Sequence, residues 1–176
     1  MSEGEEEYGQ TCLSLRFGFG STPLTQDVLG VTRYSYLCYI RGRKTSNMLR
    51  HGTLNPYERK YGYFRAVRKG PFIFVSGTTS IDPTSGNVLH HDSAYDQALR
   101  IFSEIIVAIE ALGGRKEDVV RLRIFVKESG DGDVVGNAMK DVFGDIAPAA
   151  TMVFGVGFVD PSMKVEIEAD AVVLEG

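Results

Sequence analysis

The clearest alternation of hydrophobic and polar positions lies near the end of the chain, at residues 164–173. It predicts a strand with one apolar face and one acidic face. The apolar positions are Val165, Ile167, Ala169, Ala171 and Val173, and the polar ones are Lys164, Glu166, Glu168 and Asp170. A second strand is predicted at 151–158, because turn-forming residues 159–162 separate it from the first.

Two segments show the spacing of amphipathic helices. The longer helix is predicted to begin with Asp92 or Ser93 as its cap and to end at Gly113-Gly114. The shorter helix covers about residues 131–143 and stops near Gly144. Their apolar stripes are Leu99, Phe102, Ile105, Ile106, Ile109 and Leu112 in the first, and Val134, Val135, Ala138, Met139, Val142 and Phe143 in the second.

The remaining periodic segments predict three more strands. Residues 63–67 alternate, a turn follows at 68–71, and the apolar run 72–76 completes a hairpin whose second strand is predicted to be buried on both faces. A strand at 118–127 carries Arg121 and Arg123 on one face. If this strand neighbours the last one, these arginines would lie opposite Glu166 and Glu168, and cross-strand ion pairs would explain the acidic face.

The predicted order β-β-α-β-α-β-β indicates an α+β fold, a mixed sheet with both helices on one face. The other face would then be solvated or would meet another copy of the chain. Burial between subunits is the simpler explanation for Phe72, Phe74 and Phe125 on that face. The pattern therefore predicts a homo-oligomer.

Composition narrows the function classes. The chain has 176 residues, of which 43% are hydrophobic and 24% are charged, as expected for one globular domain. A net charge of -4 argues against nucleic acid or an anionic membrane as a partner. There is no apolar run long enough to cross a bilayer, and the acidic opening is unlike a targeting peptide. A soluble, cytoplasmic protein is the expectation.

Residues 1–45 differ from the rest, because glycines and polar residues interrupt every periodic run. The segment is predicted to be poorly ordered, the alternative being a short strand or arm that packs on the domain, which is expected to cover residues 46–176. A further hypothesis is that Met48 is the physiological start. Cys12 and Cys38 show no metal-ligand spacing and are expected to be reduced.

Several short motifs resemble those of the RidA/YjgF family of reactive-intermediate deaminases, and the resemblance covers residues 54–174. The motifs are Phe72-Ile73-Phe74-Val75-Ser76-Gly77, Ala111-Leu112-Gly113-Gly114, Asp118-Val119-Val120, Phe143-Gly144-Asp145, Pro148-Ala149 and Val165-Glu166-Ile167-Glu168-Ala169. The resemblance implies a chorismate-mutase-like fold with a mixed six-stranded sheet, a homotrimer, and ligand clefts between subunits. It also implies hydrolysis of enamines and imines without a metal or organic cofactor.

The resemblance also implies site residues. Where active members have an arginine that binds the substrate carboxylate, this chain has Ala150, and a methyl group cannot form that bidentate ion pair. Met152 stands where the family has cysteine or threonine, and Gly136 where it has asparagine. The matching positions that remain are Tyr63, Gly77 with Thr78, and Glu166, which corresponds to the glutamate that orients the attacking water.

Arg65 is a candidate replacement for the missing anchor. On a strand it would share a face with Tyr63, and the alternative is a solvated arginine at a strand edge. For Glu166 the alternatives are a water-positioning base, or a carboxylate paired with Arg121 or Arg123.

Two other motifs contain possible metal ligands but are not interpreted as metal sites. His90-His91 lacks further ligands at a suitable spacing, apart from neighbouring Asp92, and is interpreted as a solvated turn. Residues 130–133 are interpreted as a turn and helix cap, since they lack the closing glutamate of a calcium loop.

Three functions remain open. The first is hydrolysis of an imine, an enamine or a related carbonyl-type compound, with Glu166 holding the water and a neutral or differently charged substrate. The second is a trimeric protein that binds a metabolite without catalysis. The third is RNA cleavage, which the acidic composition makes least attractive.

Overall fold

The computed structural model describes residues 48–174. The expectations for residues 1–45, Cys12 and Cys38 lie outside the described residues. Within the described part, the strands are β1 (Met48–His51), β2 (Ala66–Lys69), β3 (Phe72–Thr78), β4 (Val119–Val126), β5 (Ala149–Phe154) and β6 (Val165–Val172). The α-helices are α1 (Pro56–Tyr61), α2 (Ala94–Ala111) and α3 (Gly132–Phe143), and 3-10 turns cover Lys116–Asp118 and Ser129–Asp131.

The strands form one six-stranded sheet in the order β1-β2-β3-β6-β4-β5. Its neighbours are antiparallel except for β4 and β5, which are parallel. The predicted mixed sheet and α+β class are therefore confirmed. The predicted element order lacked β1 and α1, because four residues in an edge strand and six in a helix are too few to show a period.

Helices α2 and α3 pack on one face of the sheet and enclose the core. Phe102 of α2 meets Phe143 of α3 edge to face, with ring centroids 5.3 Å apart. The alternating apolar positions of β3, β4 and β6 complete this core, as the pattern predicts. Each fully buried large side chain contributes about 1.5–3 kcal/mol through removal of its surface from water.

The ends of α2 follow from local chemistry. Ser93, rather than Asp92, is the N-cap, since its hydroxyl accepts a hydrogen bond of 3.1 Å from the Asp96 amide. Gly113, just after the helix, has φ of 80°, a left-handed conformation that suits glycine.

Gln97 ties α2 to the segment that leads into β6. This side chain is fully buried, and its amide donates to the carbonyl oxygens of His90 and Ser162 at 3.2 and 2.9 Å. Its oxygen accepts from the Lys164 amide at 2.8 Å. Two of these hydrogen bonds, to Ser162 and Lys164, therefore fix the start of β6 against α2.

The bounds of two predicted strands were wrong. β2 begins at Ala66 instead of residue 63, because Gly62 ends α1 in a left-handed conformation and the chain turns before it pairs. β5 ends at Phe154 instead of residue 158, since Gly155 has φ of 78° and leaves the strand geometry.

The prediction that β3 is buried on both faces is wrong for the single chain. Phe72 and Phe74 are 49% and 47% exposed, because α2 and α3 pack on the opposite face, and their burial between subunits stays a prediction. Val134, assigned to the buried stripe of α3, is also exposed. The exposed phenylalanine rings lie parallel, with their centroids 6.3 Å apart.

Candidate functional site

Glu166 lies on β6, half buried, with its carboxylate over Gly77 of β3. A Cβ added at Gly77 would overlap Oε1 of Glu166 and would lie 3.0 Å from its Cδ. The two strands meet here at an irregular step, since their register shifts between Val75 and Thr78. The glycine therefore provides the space that the carboxylate occupies.

The pKa of Glu166 is raised above its ordinary value. Burial is the main cause, and the nearby Glu168 carboxylate adds to it, while Arg65 acts in the opposite direction. Phe125 is the residue opposite Glu166 on β4. Within residues 48–174 the structure gives Glu166 no salt bridge, so the alternative of pairing with Arg121 or Arg123 is wrong.

Arg123 instead binds the other two carboxylates of β6. It lies opposite Glu168, as the alternation predicts, and its Nε donates to Glu168 Oε2 at 2.7 Å. Its two terminal nitrogens donate to both oxygens of Asp170 at 3.0 and 3.1 Å. Arg121 aligns with Asp170, not with Glu166.

Arg65 is 5% exposed and lies in a buried network. Its Nε donates to Oε1 of Glu58 at 3.2 Å, and its Nη1 donates to the Gly77 carbonyl at 2.7 Å and to Thr78 Oγ1 at 3.0 Å. Both oxygens of Glu58, which is 6% exposed, accept hydrogen bonds of 2.7 Å from Thr53. The alternative of a solvated arginine at a strand edge is therefore wrong, and Arg65 precedes β2 instead of lying on a strand, whereas its role as a replacement anchor stays a prediction.

Tyr63 lies beside this network at the edge of an open groove. The Arg65 guanidinium carbon is 5.9 Å from the centre of the Tyr63 ring. The groove has a volume of about 330 Å³, and Thr53, Glu58, Tyr63 and Phe64 are among its lining residues. Sequence reasoning missed Thr53 and Glu58, since a buried glutamate on a six-residue helix leaves no periodic signal.

Ala150 and Met152 lie far from this group in the sheet. They are on β5 in register with Leu122 and Ile124 of β4, so they point to the helix-covered face. Glu166 alternates with the buried positions of β6 and points to the opposite face. Because β4 also separates β5 from β6, one chain does not bring Ala150 and Met152 together with Glu166.

Among the described residues there is no group of three potential metal-ligating side chains. His91 Nε2 lies 3.0 Å from Asp92 Oδ2, and both side chains are exposed. No helix in the described part is both long and apolar enough to span a membrane.

Residues 55–173 match the family model described as Endoribonuclease L-PSP. The chain belongs to this family, also called RidA/YjgF. An uncharacterized protein of Streptomyces coelicolor is 33% identical over 118 residues, which covers 66% of this chain and 86% of the relative. A 2-iminobutanoate/2-iminopropanoate deaminase of Salmonella typhimurium is 31% identical over 113 residues, covering 62% and 86%.

Solved structures of RidA/YjgF proteins share the fold. The crystal structure of a YjgF/YER057c/UK114 family member from Mycobacterium tuberculosis superposes with a TM-score of 0.65 at 33% identity. The match covers 72% of this chain and all of that one. The family resemblance and the chorismate-mutase-like fold class inferred from the motifs are thereby confirmed.

Proposed function

We propose that this RidA/YjgF protein binds a small metabolite in clefts between the subunits of a homotrimer and hydrolyses an imine, an enamine or a related carbonyl-type compound there. In this proposal Glu166 positions the attacking water. The supporting observation is a half-buried carboxylate that has no salt bridge within residues 48–174 and is seated over Gly77, whose carbonyl accepts a hydrogen bond from Arg65. A relative named as an iminobutanoate/iminopropanoate deaminase supports the same reaction class.

The placement of the candidate residues supports a cleft between subunits. Glu166 and Gly77 lie at the β3/β6 step, while Ala150 and Met152 lie on the edge strand β5 and face the other way. A second copy packed on the uncovered face would bring its own edge strand near Glu166. It would also cover the exposed rings of Phe72 and Phe74.

The chemistry needs one carboxylate and a protonated imine. Glu166 takes a proton from water as the water oxygen bonds to the iminium carbon, which gives a neutral carbinolamine. Glu166 then returns this proton to the amino nitrogen and takes the hydroxyl proton as the carbon–nitrogen bond breaks, so that a carbonyl compound and ammonia leave and the proton on Glu166 passes to solvent. A carboxyl group whose pKa is raised by burial is suited to these transfers.

The charges around the site favour a substrate that is neutral or cationic. Ala150 offers no cation for a substrate carboxylate, and the charge of Arg65 is balanced by Glu58. A carboxylate buried beside Glu166 without a partner would cost several kcal/mol. An imine formed from an amine fits this site better than one formed from an α-amino acid.

A second candidate function is that of a trimeric metabolite-binding or regulatory protein without catalysis. Ala150, exposed on β5, favours this alternative, because the resemblance puts the anchoring arginine of active members there. Endoribonuclease activity, suggested by the family model's description, is less favoured. The net charge of -4 opposes polyanion binding.

The test is hydrolysis of imines generated in place by amine and amino-acid oxidases. We expect wild-type activity that falls by about 100-fold or more in Glu166→Ala, since a general base contributes on that scale. Glu168→Ala is the matched control and should lose much less. No activity in wild type together with activity in Ala150→Arg would favour the non-catalytic alternative and would refute the hydrolase.

The assembly has its own test. Light scattering at micromolar concentration should give a mass about three times that of the 19.3 kDa chain. A monomer alone would contradict the cleft between subunits.

A further inference from the structure

We infer that Arg65 is a positioning residue for Glu166, and that it acts through the backbone of Gly77 instead of binding the substrate. The catalytic meaning of this inference rests on the proposed function. Independently of catalysis, the buried Arg65 side chain determines the position of the Glu166 carboxylate.

The first step is the contact between Arg65 and the irregular step of β3. One nitrogen, Nη1, donates to both the Gly77 carbonyl and Thr78 Oγ1. Thr78 Oγ1 in turn donates to the Ser76 carbonyl at 2.8 Å. The guanidinium therefore holds Gly77 and Thr78 directly, and Ser76 through the Thr78 hydroxyl, at the point where the register of β3 and β6 shifts.

The second step is the contact between Gly77 and Glu166. There is no room for a side chain at Gly77, because the Glu166 carboxylate fills the place of the Cβ. A movement of the Gly77 backbone toward or away from β6 must therefore move that carboxylate or admit water beside it. The position of Arg65 thus sets how deeply Glu166 is buried.

Arg65 is itself fixed in place by Glu58. Its Nε is held by Glu58, whose two oxygens are held in turn by the Thr53 amide and hydroxyl. A planar guanidinium bonded on two sides cannot rotate without breaking a buried ion pair. Nε and Nη1 of Arg65 are already bonded to protein groups, so a substrate carboxylate could bind through these two nitrogens only by displacing Glu58 or the oxygens of Gly77 and Thr78.

Within residues 48–174, the other groups around Glu166 do not offer an equivalent contact. Glu168 is the charged neighbour on β6 and is bound by Arg123, Phe125 faces Glu166 from β4, and Gly77 faces it from β3. Arg65 is the charged group that reaches the site from the segment before β2. The hydrogen bonds of Arg65 can be tested separately from its charge. A lysine at this position would keep the positive charge but would lose the combined contacts to Glu58 and to Gly77 and Thr78.

The experiment is a titration of Glu166 in wild type and Arg65→Lys, by NMR of ¹³C-labelled glutamate carboxyls. The Glu166 signal is assigned by its absence in Glu166→Gln. We expect the pKa of Glu166 in Arg65→Lys to move down toward the ordinary glutamate value, as water enters. For hydrolysis we expect kcat to fall about tenfold or more with KM changed less than threefold.

Arg68→Lys is the matched control. Arg68 also bonds two backbone carbonyls, those of Gly70 and Leu112, but no contact joins it to Glu166. We expect its titration and kinetics to equal those of wild type. Gly77→Ala leaves the Glu58 and Arg65 pair in place and should also move the Glu166 titration, so it tests the same contact if Arg65→Lys does not fold.

An unchanged Glu166 titration in folded Arg65→Lys or Gly77→Ala overturns the inference. If KM rises while that titration stays the same, Arg65 binds the substrate. The titration needs no substrate, so absence of hydrolysis in wild type would refute the proposed function and would leave the positioning question to be decided by NMR.

Discussion

The acidic face of β6, formed by Glu166, Glu168 and Asp170, has two ends that differ in what lies beside them. At the Asp170 end, Arg123 of β4 binds two carboxylates at once, and its side chain is 36% exposed. At the Glu166 end, β4 supplies Phe125 and β3 supplies Gly77. Equal spacing along a strand therefore produces a structural ion pair at one end and a desolvated carboxylate at the other.

The same contrast holds between the two arginines that serve these ends. Arg123 neutralises two carboxylates near the surface, where water screens the charges. Arg65 is buried and is neutralised by Glu58, and the rest of its bonds go to uncharged groups. Burial makes the second pair sensitive to loss of one partner, and this difference can be measured.

The largest effect is expected from Arg65→Met, which leaves the Glu58 carboxylate buried without its cation. We expect the free energy of unfolding to fall by about 3 to 5 kcal/mol. The double variant Glu58→Gln with Arg65→Met should recover part of this loss, because no charge is then left unpaired. Urea denaturation measures the free energy of unfolding of both variants. A loss below about 1 kcal/mol in Arg65→Met would mean that the Arg65–Glu58 pair contributes no more than an exposed salt bridge.

A smaller effect is expected from Arg123→Met at the other end of the face. Its carboxylate partners are partly exposed and can be hydrated, so the free energy of unfolding should fall by about 1 kcal/mol. The same urea measurement applies. A loss as large as that of Arg65→Met would show that the two ends do not differ in the way described.

The two ends of the acidic face of β6 should also differ in how they affect the pH dependence of stability. A carboxyl group whose pKa is raised on folding binds protons more tightly in the folded state. The folded state therefore loses stability as the pH rises from 4.5, the ordinary pKa of a glutamate, through the raised pKa of Glu166. The Glu166→Gln variant should not show this loss. Urea midpoints measured across this range check it, and parallel profiles for the two proteins would contradict it.

Catalysis should change with pH in the opposite sense. The ionised form of Glu166 is the base, so the rate of hydrolysis should rise as stability falls over the same range.

The smallest effect is expected from Glu168→Gln. The Glu168 carboxylate raises the pKa of Glu166, and its removal should lower that pKa slightly because burial remains the main cause. The carboxyl NMR titration detects the change. A shift upward would mean that loss of the Glu168 contact lets Arg123 rearrange and buries Glu166 more deeply.

Much of the fold could be predicted from the sequence, because the alternation of hydrophobic and polar residues can be read directly along the chain. The buried row of β6 and the cap and stripe of α2 follow from spacing and from one serine. β1 and α1 could not be predicted in this way. They are short, and their place depends on pairing and packing with residues distant in sequence.

Part of the candidate site could likewise be predicted from the sequence, and part of it could not. Motif resemblance points to Glu166, and alternation predicts that Arg123 faces Glu168. The environment of Arg65 could not be predicted, because it depends on a turn after Gly62 and on Glu58, Gly77 and Thr78 meeting it in space. A pattern along one strand gives the face of a residue but not its neighbours across the sheet.

The position of β6 between β3 and β4 has a consequence for biosynthesis. The chain is made from its N-terminal end, so β1, β2 and β3 emerge before β6, and so do β4 and β5. In the sheet order, β6 is the strand that joins β1-β2-β3 to β4-β5. The edges of β3 and β4 therefore lack their partner until β6 has been synthesised, and unpaired strand edges favour aggregation.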